Sequence, residues 1–399
     1  MNVLFLSRWF PYPVDNGSKM RIVNLIKHLA VRFKVDLISF ATHPVEAGHL
    51  AEMRNYCNMV EYVFYRPFQP ARLPALLGFF AAQPRSVKDT YSYEMQRVVE
   101  EAVKGRNYDV VIASQLDMAP YALLASRVPK ILEEIELTTL YERSLEPANQ
   151  IEKMRRQLMW RKWAAYVSGL LDAFDAGTVV SGQERERLLQ TKQTGNPLEV
   201  FPNGVDLDFY KGDFGLPQPD SLVFSGAITY AANFDAVEYF LREIYPLVRR
   251  RRPLVKFSIT GRLEGAPVDR LPVQEGVTFT GYLNDVRPAV ASSWVNVVPL
   301  RIGGGTRLKV LESLALGTPV VATQKGIEGL DLEDGRDYLS GEDPQSFAEA
   351  VLQVLESENL RNQLSVNGRL AVAAGYDWCD IGPSFCDFVE TVIDRVREK

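Results

Sequence analysis

The chain has 399 residues, too many for one ordinary core, so its length predicts about two domains. Apolar residues make up 46% and charged residues 24%, as in a soluble globular protein, and the formal net charge of −5 argues against bulk binding of nucleic acid. Three cysteines, Cys57, Cys379 and Cys386, lack zinc-ligand spacing and favour a reducing compartment without a disulfide framework.

The first residues, MNVLFLSRWFPYP, predict a strand and not a secretion signal, because no basic region precedes the short apolar run. The longest other apolar run, Ala75–Ala82, is far below the roughly 18 residues that a membrane-spanning helix needs. We therefore expect a cytoplasmic protein.

Short apolar strands alternate with helical patterns in two series, as is typical of parallel sheets covered on both faces. The first series comprises Val3–Ser7, Val35–Phe40, Val60–Tyr65, Val110–Ser114, Ile131–Glu136 and Thr178–Ser181. The second comprises Leu222–Gly226, Lys256–Gly261, Val277–Gly281, Val295–Leu300 and Pro319–Thr323. The pattern predicts an α/β protein with two doubly wound, Rossmann-like domains that face a ligand cleft, with a hinge region within Thr191–Pro219.

A loop, RWFPYPVDNGSKMR, follows the first strand and leads into an apolar helix that Asn16 or Ser18 can cap. Gly17 at the mouth of that helix allows an anion to approach the backbone closely. The alternative is an ordinary capped turn without a ligand.

The most informative segment is Pro299–Val321, PLRIGGGTRLKVLESLALGTPVV, where Gly303, Gly304 and Gly305 join a strand to a helix. Glycines at such a turn leave backbone N–H groups free to bind an anion, and the helix dipole favours phosphate there. The helix carries Arg307 in its first turn, then Lys309 and Glu312, and a carboxylate at Glu312 can accept hydrogen bonds from two sugar hydroxyls. Many α/β proteins have similar turns that bind nothing, so the unliganded alternative stays open.

Two further segments are candidates for a membrane surface. Met154–Tyr166, MRRQLMWRKWAAY, places Arg155, Arg156, Arg161 and Lys162 beside Trp160 and Trp163, and Pro70–Pro84 offers an apolar lip. Such residues can lie on an anionic membrane, and a lipid-linked acceptor would account for both segments. The alternative is an amphipathic helix packed on the sheet.

Four segments resemble the GT-B glycosyltransferases of family four, which transfer sugars from nucleotide donors with retention. They are the Gly17 loop, FPNGVDLDF at Phe201–Phe209, LVFSGAITYAAN at Leu222–Asn233, and Val277–Leu330. The likeness covers nearly the whole chain and extends to a bacterial subgroup associated with exopolysaccharide gene clusters.

The resemblance implies roles for individual residues. Glu312 would hold the ribose hydroxyls, Arg307 and Lys309 would lie near the diphosphate, and Gly17 would offer its N–H to a donor phosphate. The remaining residues implied in the donor site are Gly226, Gly281 and Tyr282 at strand ends, the latter two beside the nucleobase, and Gly304, Gly305 and Thr306 in the turn.

Two departures from the family pattern stand out. Gly304 occupies the position at which many members carry a second glutamate that touches the donor sugar. The loop Ala227–Asn233 lacks the usual Arg and Lys, which shifts neutralisation of the diphosphate toward Arg307 and Lys309.

On the acceptor side, Ile131–Tyr141 places three carboxylates at a strand end, of which Glu133 and Glu136 are expected to face the cleft. Glu136 is the candidate to orient or deprotonate an acceptor hydroxyl, and a solvated strand end is the alternative.

The resemblance also implies an acceptor domain over 1–198, on which a C-terminal helix at 380–399 packs, and a nucleotide-sugar domain over 199–379. We expect transfer of a hexosyl group from a nucleotide-diphosphate sugar to a sugar or lipid-linked acceptor, in polysaccharide or glycolipid synthesis. No cofactor besides the donor substrate, no metal and no nucleic acid is expected. A nucleotide-sugar epimerase of the same fold and a non-catalytic nucleotide-sugar binder are the alternatives.

Overall fold

The computed structural model describes residues 1–145 and 149–398, which form two compact units. One unit comprises Met1–Pro202 together with Asp380–Lys399, and the other is Asn203–Cys379. The boundary falls four residues after the position expected from the sequence, directly before the asparagine of the PNG element.

The first unit is built on a seven-stranded parallel sheet with the order β3-β2-β1-β4-β5-β6-β7. Its strands are β1 (Asn2–Ser7), β2 (Lys34–Ala41), β3 (Cys57–Phe64), β4 (Val110–Ser114), β5 (Lys130–Glu133), β6 (Ala176–Val179) and β7 (Leu198–Val200). The central strands β1 and β4 are buried except for Asn2, the first residue of β1, because helices cover both faces, as their continuous apolar sequences predict.

The helices of the first unit are α1 (Gly17–Arg32), α2 (Ala47–Arg54), α3 (Leu73–Leu77), α4 (Arg85–Thr90), α5 (Tyr93–Gly105), α6 (Ala119–Ala122), α7 (Thr138–Leu145), α8 (Gln150–Ala173) and α9 (Gly182–Thr191), with a 3₁₀ turn at Leu116–Met118. Of the two residues expected to cap α1, Asn16 does so, its side chain accepting from the Lys19 N–H at 3.0 Å.

The second unit contains a six-stranded parallel sheet with the order β10-β9-β8-β11-β12-β13. Its strands are β8 (Gln218–Ser225), β9 (Lys256–Thr260), β10 (Val277–Gly281), β11 (Ser293–Val298), β12 (Val320–Ala322) and β13 (Leu339–Ser340). The predicted α/β class with two parallel sheets is therefore confirmed.

Around the second sheet lie α10 (Ala231–Tyr239), α11 (Tyr245–Arg251), α12 (Arg287–Ala291), α13 (Leu308–Leu316), α14 (Pro344–Glu356) and α15 (Glu358–Gly375), with a π-helical turn at Phe240–Ile244 and a 3₁₀ turn at Val268–Arg270. One apolar core, which includes Phe224, Phe240 and Phe257, fills this unit.

The last helix, α16 (Trp378–Arg397), belongs to the first unit from Asp380 onward. Phe385 is fully buried, and its ring lies edge-on to Phe201, with 5.3 Å between the ring centroids. Gly382 meets His28 of α1 so closely that an added Cβ would lie 2.1 Å from the imidazole ring. Glycine is therefore required for this contact between two helices of the first unit.

Within the described residues, no helix is long and apolar enough to cross a membrane.

Candidate functional site

The strand order of the second unit reverses between β8 and β11, which are neighbours in the sheet. In open α/β sheets, ligands bind beyond the carboxyl ends of the strands at such a switch point. The turn at Gly226 follows β8, and the glycine-rich loop follows β11. The topology thus brings together two segments that are about 80 residues apart in sequence.

The glycine-rich loop needs glycine at two positions for backbone reasons. Gly303 has a φ of 101° and Gly305 a φ of 85°, a region that other residues rarely adopt. A Cβ on Gly303 would also lie 2.8 Å from the Cβ of Ala232. Thr306 Oγ1 then accepts a hydrogen bond from Asn203 Nδ2 at 2.6 Å, which ties the loop to the PNG element.

Arg307 is placed differently from the prediction. Helix α13 begins at Leu308, so Arg307 precedes its first turn and is only 5% exposed. Its guanidinium donates to the carbonyl oxygens of Gly303 at 2.8 Å, Gly304 at 3.0 Å and Lys325 at 3.0 Å, and pairs with Glu328 at 3.2 Å. These contacts hold the backbone of the glycine-rich loop, and the expected contact of Arg307 with a diphosphate stays a prediction.

Lys309 extends from α13 to the turn after β8. Its Nζ donates to Asn233 Oδ1 at 2.7 Å and lies 4.0 Å from the ring centroid of Phe224. A Cβ on Gly226, whose φ is 148°, would lie 2.8 Å from this ammonium. Burial and, to a smaller extent, the nearby Arg307 lower the pKa of Lys309 to about 7, while Glu312 acts in the opposite direction.

Glu312 is half-buried one turn further along α13. Its Oε1 accepts a hydrogen bond from the Tyr210 hydroxyl at 3.0 Å. Burial raises the pKa of the Glu312 carboxyl, while the Tyr210 hydrogen bond and Lys309 act in the opposite direction. Sequence reasoning missed Tyr210, although it directly follows the FPNGVDLDF element.

Three glycines end three adjacent strands. Gly226 follows β8, Gly261 follows β9, and Gly281 closes β10 with a φ of 72°. A Cβ on Gly261 would lie 2.4 Å from the Gly226 carbonyl oxygen, and the Gly261 N–H donates to the Gly281 carbonyl at 2.9 Å. Tyr282 directly follows the last of these three glycines and is 63% exposed, and its expected contact with the nucleobase stays a prediction.

In the first unit, the corresponding switch point lies between β1 and β4. Gly17 is the first residue of α1, in the loop that follows β1, and its contact with a donor phosphate stays a prediction.

The carboxylates at the end of β5 have three different surroundings. The strand ends at Glu133, not at Glu136, and Glu133 is fully buried. It pairs with Arg21 at 2.5 Å and accepts from the Ser114 hydroxyl at 2.8 Å, so the expectation that it faces a cleft is wrong. Glu136 is exposed and accepts from Thr139 Oγ1 at 2.7 Å, and its acceptor role stays a prediction.

Glu134, which sequence reasoning did not single out, has the most unusual environment of the three. Its φ is 57°, and its carboxylate accepts from Gln115 Nε2 at 2.8 Å, a residue whose own φ is 73°. Gln115 Nε2 also contacts Ser18 Oγ at 3.2 Å, beside Gly17. Burial and the nearby Glu133 raise the pKa of Glu134 to about 7. Paired backbone strain of this kind concentrates at functional sites.

The tryptophans of α8 pack inward. Trp160 and Trp163 are half-buried against the core of the first unit, and Trp160 lies edge-on to Tyr141, with 5.1 Å between ring centroids. For the two indole rings, this packing agrees with the alternative given above, in which α8 is an amphipathic helix packed on the sheet.

Among the residues that the structure describes, no group of three or more His, Cys, Asp or Glu side chains could hold a metal ion.

Known proteins share this architecture and parts of the sequence. Residues 15–209 match the family described as Glycosyltransferase Family 4, and residues 219–357 match the family described as Glycosyl transferases group 1. The chain is similar to a D-inositol 3-phosphate glycosyltransferase of Paenarthrobacter aurescens, with 29% identity over 206 residues, 45% of this chain and 48% of the relative. Matched regions span about half the length of the curated relatives.

Solved structures match over the whole chain. HepE of Anabaena, in complex with UDP and glucose, aligns with a TM-score of 0.68 and 15% identity, covering 98% of this chain and 99% of HepE. Sucrose-phosphate synthase of Thermosynechococcus elongatus aligns with a TM-score of 0.68 and 16% identity, covering 99% of this chain and 100% of the synthase. At such low identity the likeness shows the fold.

Together, the two parallel sheets and these matches show the GT-B fold, and both matched families are glycosyltransferase families. The family-four match lies over residues 15–209, so it covers nearly all of the first unit's sheet, and the group 1 match falls in the second unit.

Proposed function

We propose that this protein transfers a hexosyl group, with retention, from a nucleoside diphosphate sugar to the hydroxyl of a sugar or lipid-linked acceptor in polysaccharide or glycolipid synthesis at the cytoplasmic side of a membrane. The observation that carries the proposal is the position of the Lys309 ammonium, against the Gly226 turn at the switch point. Anionic ligands of such sheets bind at this edge, and a fixed cation there suits a diphosphate.

Lys309 takes the place of the two cations that the family usually carries after the first strand of this domain. The side-chain amide of Asn233 accepts from Lys309 Nζ and donates to the Ala227 carbonyl at 2.9 Å. The lysine is thereby connected to the segment Ala227–Asn233, which has no cation of its own. The helix of the glycine-rich motif thereby supplies the charge that the loop lacks.

In the reaction, the bond between the anomeric carbon and the diphosphate oxygen breaks, the acceptor oxygen forms the new bond, and the acceptor hydroxyl loses its proton. Negative charge grows on the leaving diphosphate, and a preorganised cation lowers the barrier most when it lies where that charge develops. Lys309 is proposed to supply this charge directly. Arg307 is proposed to act indirectly, by holding the loop whose N–H groups face the ligand.

Glu312 is proposed to accept hydrogen bonds from the ribose hydroxyls of the donor. Tyr210 donates to one oxygen of the carboxylate and fixes its orientation, leaving the other oxygen for a ligand. Burial makes such a contact stronger than it would be in water.

Calorimetric titration with UDP tests the nucleotide part of the proposal. Lys309→Met should weaken UDP binding by about thirtyfold, the equivalent of about 2 kcal/mol for a lost charge partner. Lys256→Met, which removes an exposed lysine of the same unit, is the matched control and should bind as the unaltered protein does. Equal affinity in both variants would contradict the proposal, and parallel titrations with GDP and ADP identify the nucleobase.

A second candidate, a non-catalytic nucleotide-sugar sensor, is favoured by Gly304, which stands where many relatives carry a glutamate. Labelled nucleotide sugars incubated with and without membrane extract separate the candidates. Transfer to an acceptor supports the proposal, interconversion without an acceptor would show an epimerase, and binding without turnover would show a sensor.

If the protein is a transferase, the substitution Lys309→Ala should lower kcat by about 10²–10³-fold, with a smaller change in the KM for the donor.

A further inference from the structure

Arg8 and Asp117 form an ion pair at the switch point of the first sheet, and none of the roles above uses it. Strands β1 and β4 are neighbours at that point. Arg8 directly follows β1, and Asp117 lies in the 3₁₀ turn after β4. Arg8 Nε donates to Asp117 Oδ2 at 3.0 Å. Because ligands of open α/β sheets bind beyond the carboxyl ends of the strands at such a point, the pair lies where the first unit is expected to bind one.

Two aromatic rings fix the guanidinium of Arg8. Its central carbon lies 3.2 Å from the ring centroid of Tyr65 and 4.2 Å from that of Trp9, and only 7% of the residue is exposed. A planar guanidinium that packs on aromatic rings has a set orientation, so the direction of its Nε–H determines where the carboxylate of Asp117 lies. Arg8 is therefore a positioning residue for Asp117.

Asp117 is the open member of the pair. Its side chain is 32% exposed, against 8% for that of Arg8. Arg8 occupies Oδ2, and within the described part of the chain no group donates to Oδ1. Burial raises the pKa of this carboxyl, but Arg8 acts in the opposite direction and favours the carboxylate form. A charged carboxylate accepts hydrogen bonds and cannot donate them, so Oδ1 suits a hydroxyl or N–H donor on a ligand.

Two buried donors, one in the pair and one close to it, have no acceptor among the residues that the structure describes. They are Nη1 of Arg8 and the hydroxyl of Tyr166. Burial raises the pKa of Tyr166 and Asp117 raises it further, so the hydroxyl lies within reach of the carboxylate's charge. Buried polar groups in folded proteins are nearly always paired, so these donors favour a ligand with acceptor atoms. A sugar hydroxyl both donates and accepts, and neighbouring hydroxyls can satisfy the carboxylate and the donors together.

The charges of this segment disfavour an anionic ligand. Residues 8–21 join β1 to α1 and contain three cations. Each has a carboxylate partner: Arg8 with Asp117 at 3.0 Å, Lys19 with Asp15 at 2.9 Å, and Arg21 with Glu133 at 2.5 Å. A phosphate or carboxylate on a ligand beside Asp117 would have to displace one of these partners and would meet the charge of Asp117 itself. A neutral sugar needs no such exchange.

We propose that Asp117 accepts a hydrogen bond from a hydroxyl of the acceptor, and that the sugar unit of the acceptor at this site is neutral, without a phosphate or carboxylate group. Arg8 holds the carboxylate in place. The inference deepens the proposed function and rests on its acceptor. It gives to Asp117 a contact for which the sequence suggested Glu136.

Binding of methyl glycosides to the full chain, followed by saturation-transfer NMR with and without UDP, tests the class of acceptor. Methyl glucoside, methyl galactoside and methyl mannoside are the neutral probes, and glucose 6-phosphate is the anionic one. At least one neutral glycoside should bind, and more tightly than the phosphate. Absence of binding by all three, or tighter binding of glucose 6-phosphate, would overturn the neutral class of acceptor.

Asp117→Asn tests the residue. The amide keeps the shape of the side chain but loses the charge, so the glycoside should bind about tenfold or more weakly. Asp172→Asn, at an exposed carboxylate of α8 that pairs with Lys192, is the matched control and should bind as the unaltered protein does. Equal binding in both variants would overturn the contact with Asp117. A loss in Glu136→Gln without a loss in Asp117→Asn would assign the hydroxyl to Glu136.

Asp117→Glu covers the case in which Asp117→Asn destabilises the fold. It keeps the charge beside Arg8 but shifts the carboxylate oxygens by one carbon, so it should also weaken binding of the glycoside. Unchanged affinity in this variant would contradict the contact.

Two variants of Arg8 test its positioning role. Arg8→Lys should recover part of the glycoside binding that Arg8→Gln loses, because the ammonium keeps the charge but not the fork. In a transfer assay, the KM for the acceptor should rise more than kcat falls in Arg8→Lys. Equal losses in the two variants would contradict the positioning role. UDP affinity by calorimetry should be unchanged in every variant, so failure of the unaltered protein to bind UDP would count against the donor site alone and leave this inference standing.

Discussion

The Lys309 ammonium has a testable consequence at neutral pH. Burial lowers the pKa of Lys309 to about 7 in the free protein, so a neutral amine is populated near neutral pH. A diphosphate beside it favours the charged form, so nucleotide binding at pH 7.5 should take up a fraction of a proton. Calorimetry of UDP binding in buffers of different ionisation enthalpy measures this uptake directly.

Two controls accompany the measurement of proton uptake. Lys309→Arg should abolish the uptake while keeping much of the affinity, because the guanidinium stays charged in both states. UDP affinity of the unaltered protein should fall as the pH rises from 7 to 9. Identical proton uptake in the arginine variant would assign the titration to another group.

The carboxylate of Glu312 allows a second prediction. Hydrogen bonds to a charged group are worth about 1.5–3 kcal/mol, so Glu312→Ala should weaken nucleotide binding at least tenfold without unfolding the protein. Tyr210→Phe leaves the carboxylate in place but removes its orienting hydroxyl and should cost less. Calorimetry with UDP and with a 2′,3′-dideoxy analogue checks the assignment, since the analogue should bind the unaltered protein and Glu312→Ala equally well.

Glu134 provides a prediction about stability against pH. Its folded pKa of about 7 exceeds the ordinary value of 4.5, so the folded state holds a proton that the unfolded state releases. Its contribution is therefore lost as the pH rises from about 4.5 through 7. Glu133, Arg21 and Glu136 are the charged groups that also act on it.

Glu134→Gln removes this titration while keeping an acceptor for Gln115. The free energy of unfolding should consequently fall less between pH 5.5 and pH 8 in this variant than in the unaltered protein. Glu136→Gln, at an exposed carboxyl two residues away, should follow the unaltered protein. Urea denaturation at pH 5.5 and pH 8 measures the free energy of unfolding of each protein. If this free energy changed equally with pH in all three proteins, Glu134 would not be the titrating group.

At the scale of elements, the glycine-rich loop depends on Arg307. Arg307→Ala leaves three backbone carbonyls and Glu328 without this donor, so we expect a loss of about 2–3 kcal/mol in the stability of the second unit. Arg307→Lys should recover only part, because an ammonium cannot reproduce the planar fork. Thermal unfolding measures the loss of stability. If Arg307→Ala left the unfolding midpoint unchanged but reduced turnover, the result would instead support direct contact between Arg307 and the diphosphate.

The same elements show what the sequence could and could not predict. Continuous apolar runs predicted the central strands, because a strand buried on both faces needs apolar residues throughout. The strands Leu198–Val200 and Leu339–Ser340 were missed, being too short to carry a pattern. The sequence motif predicted the place of Lys309, but the contact of Lys309 with Asn233 joins α13 to the first turn of α10, 76 residues earlier, and only the folded sheet reveals this contact.

Carboxylates were harder to assign than cations. Glu133, Glu134 and Glu136 look alike in sequence, yet one is fully buried against Arg21, one is strained and half-buried, and one is exposed. The difference arises because β5 ends at Glu133 and the chain turns through a positive φ at Glu134. A one-residue change in the end of a strand exchanges which side chains point inward, and no local pattern fixes that end.

At the scale of the whole molecule, the two compact units, each with its own buried apolar residues, predict two thermal transitions. UDP should raise the transition of the second unit alone, since a ligand stabilises the unit to which it binds.

Phe385→Ala in α16 should lower the transition temperature of the first unit by about 10 °C, because deleting a buried phenylalanine costs about 3–5 kcal/mol in a unit of this size. Phe80→Ala, at a side chain that is 93% exposed, is the matched control. Calorimetric scans with and without UDP assign each transition. If Phe385→Ala lowered the UDP-sensitive transition as much as the other, the last helix would stabilise both units, and the assignment of 380–399 to the first unit alone would fail.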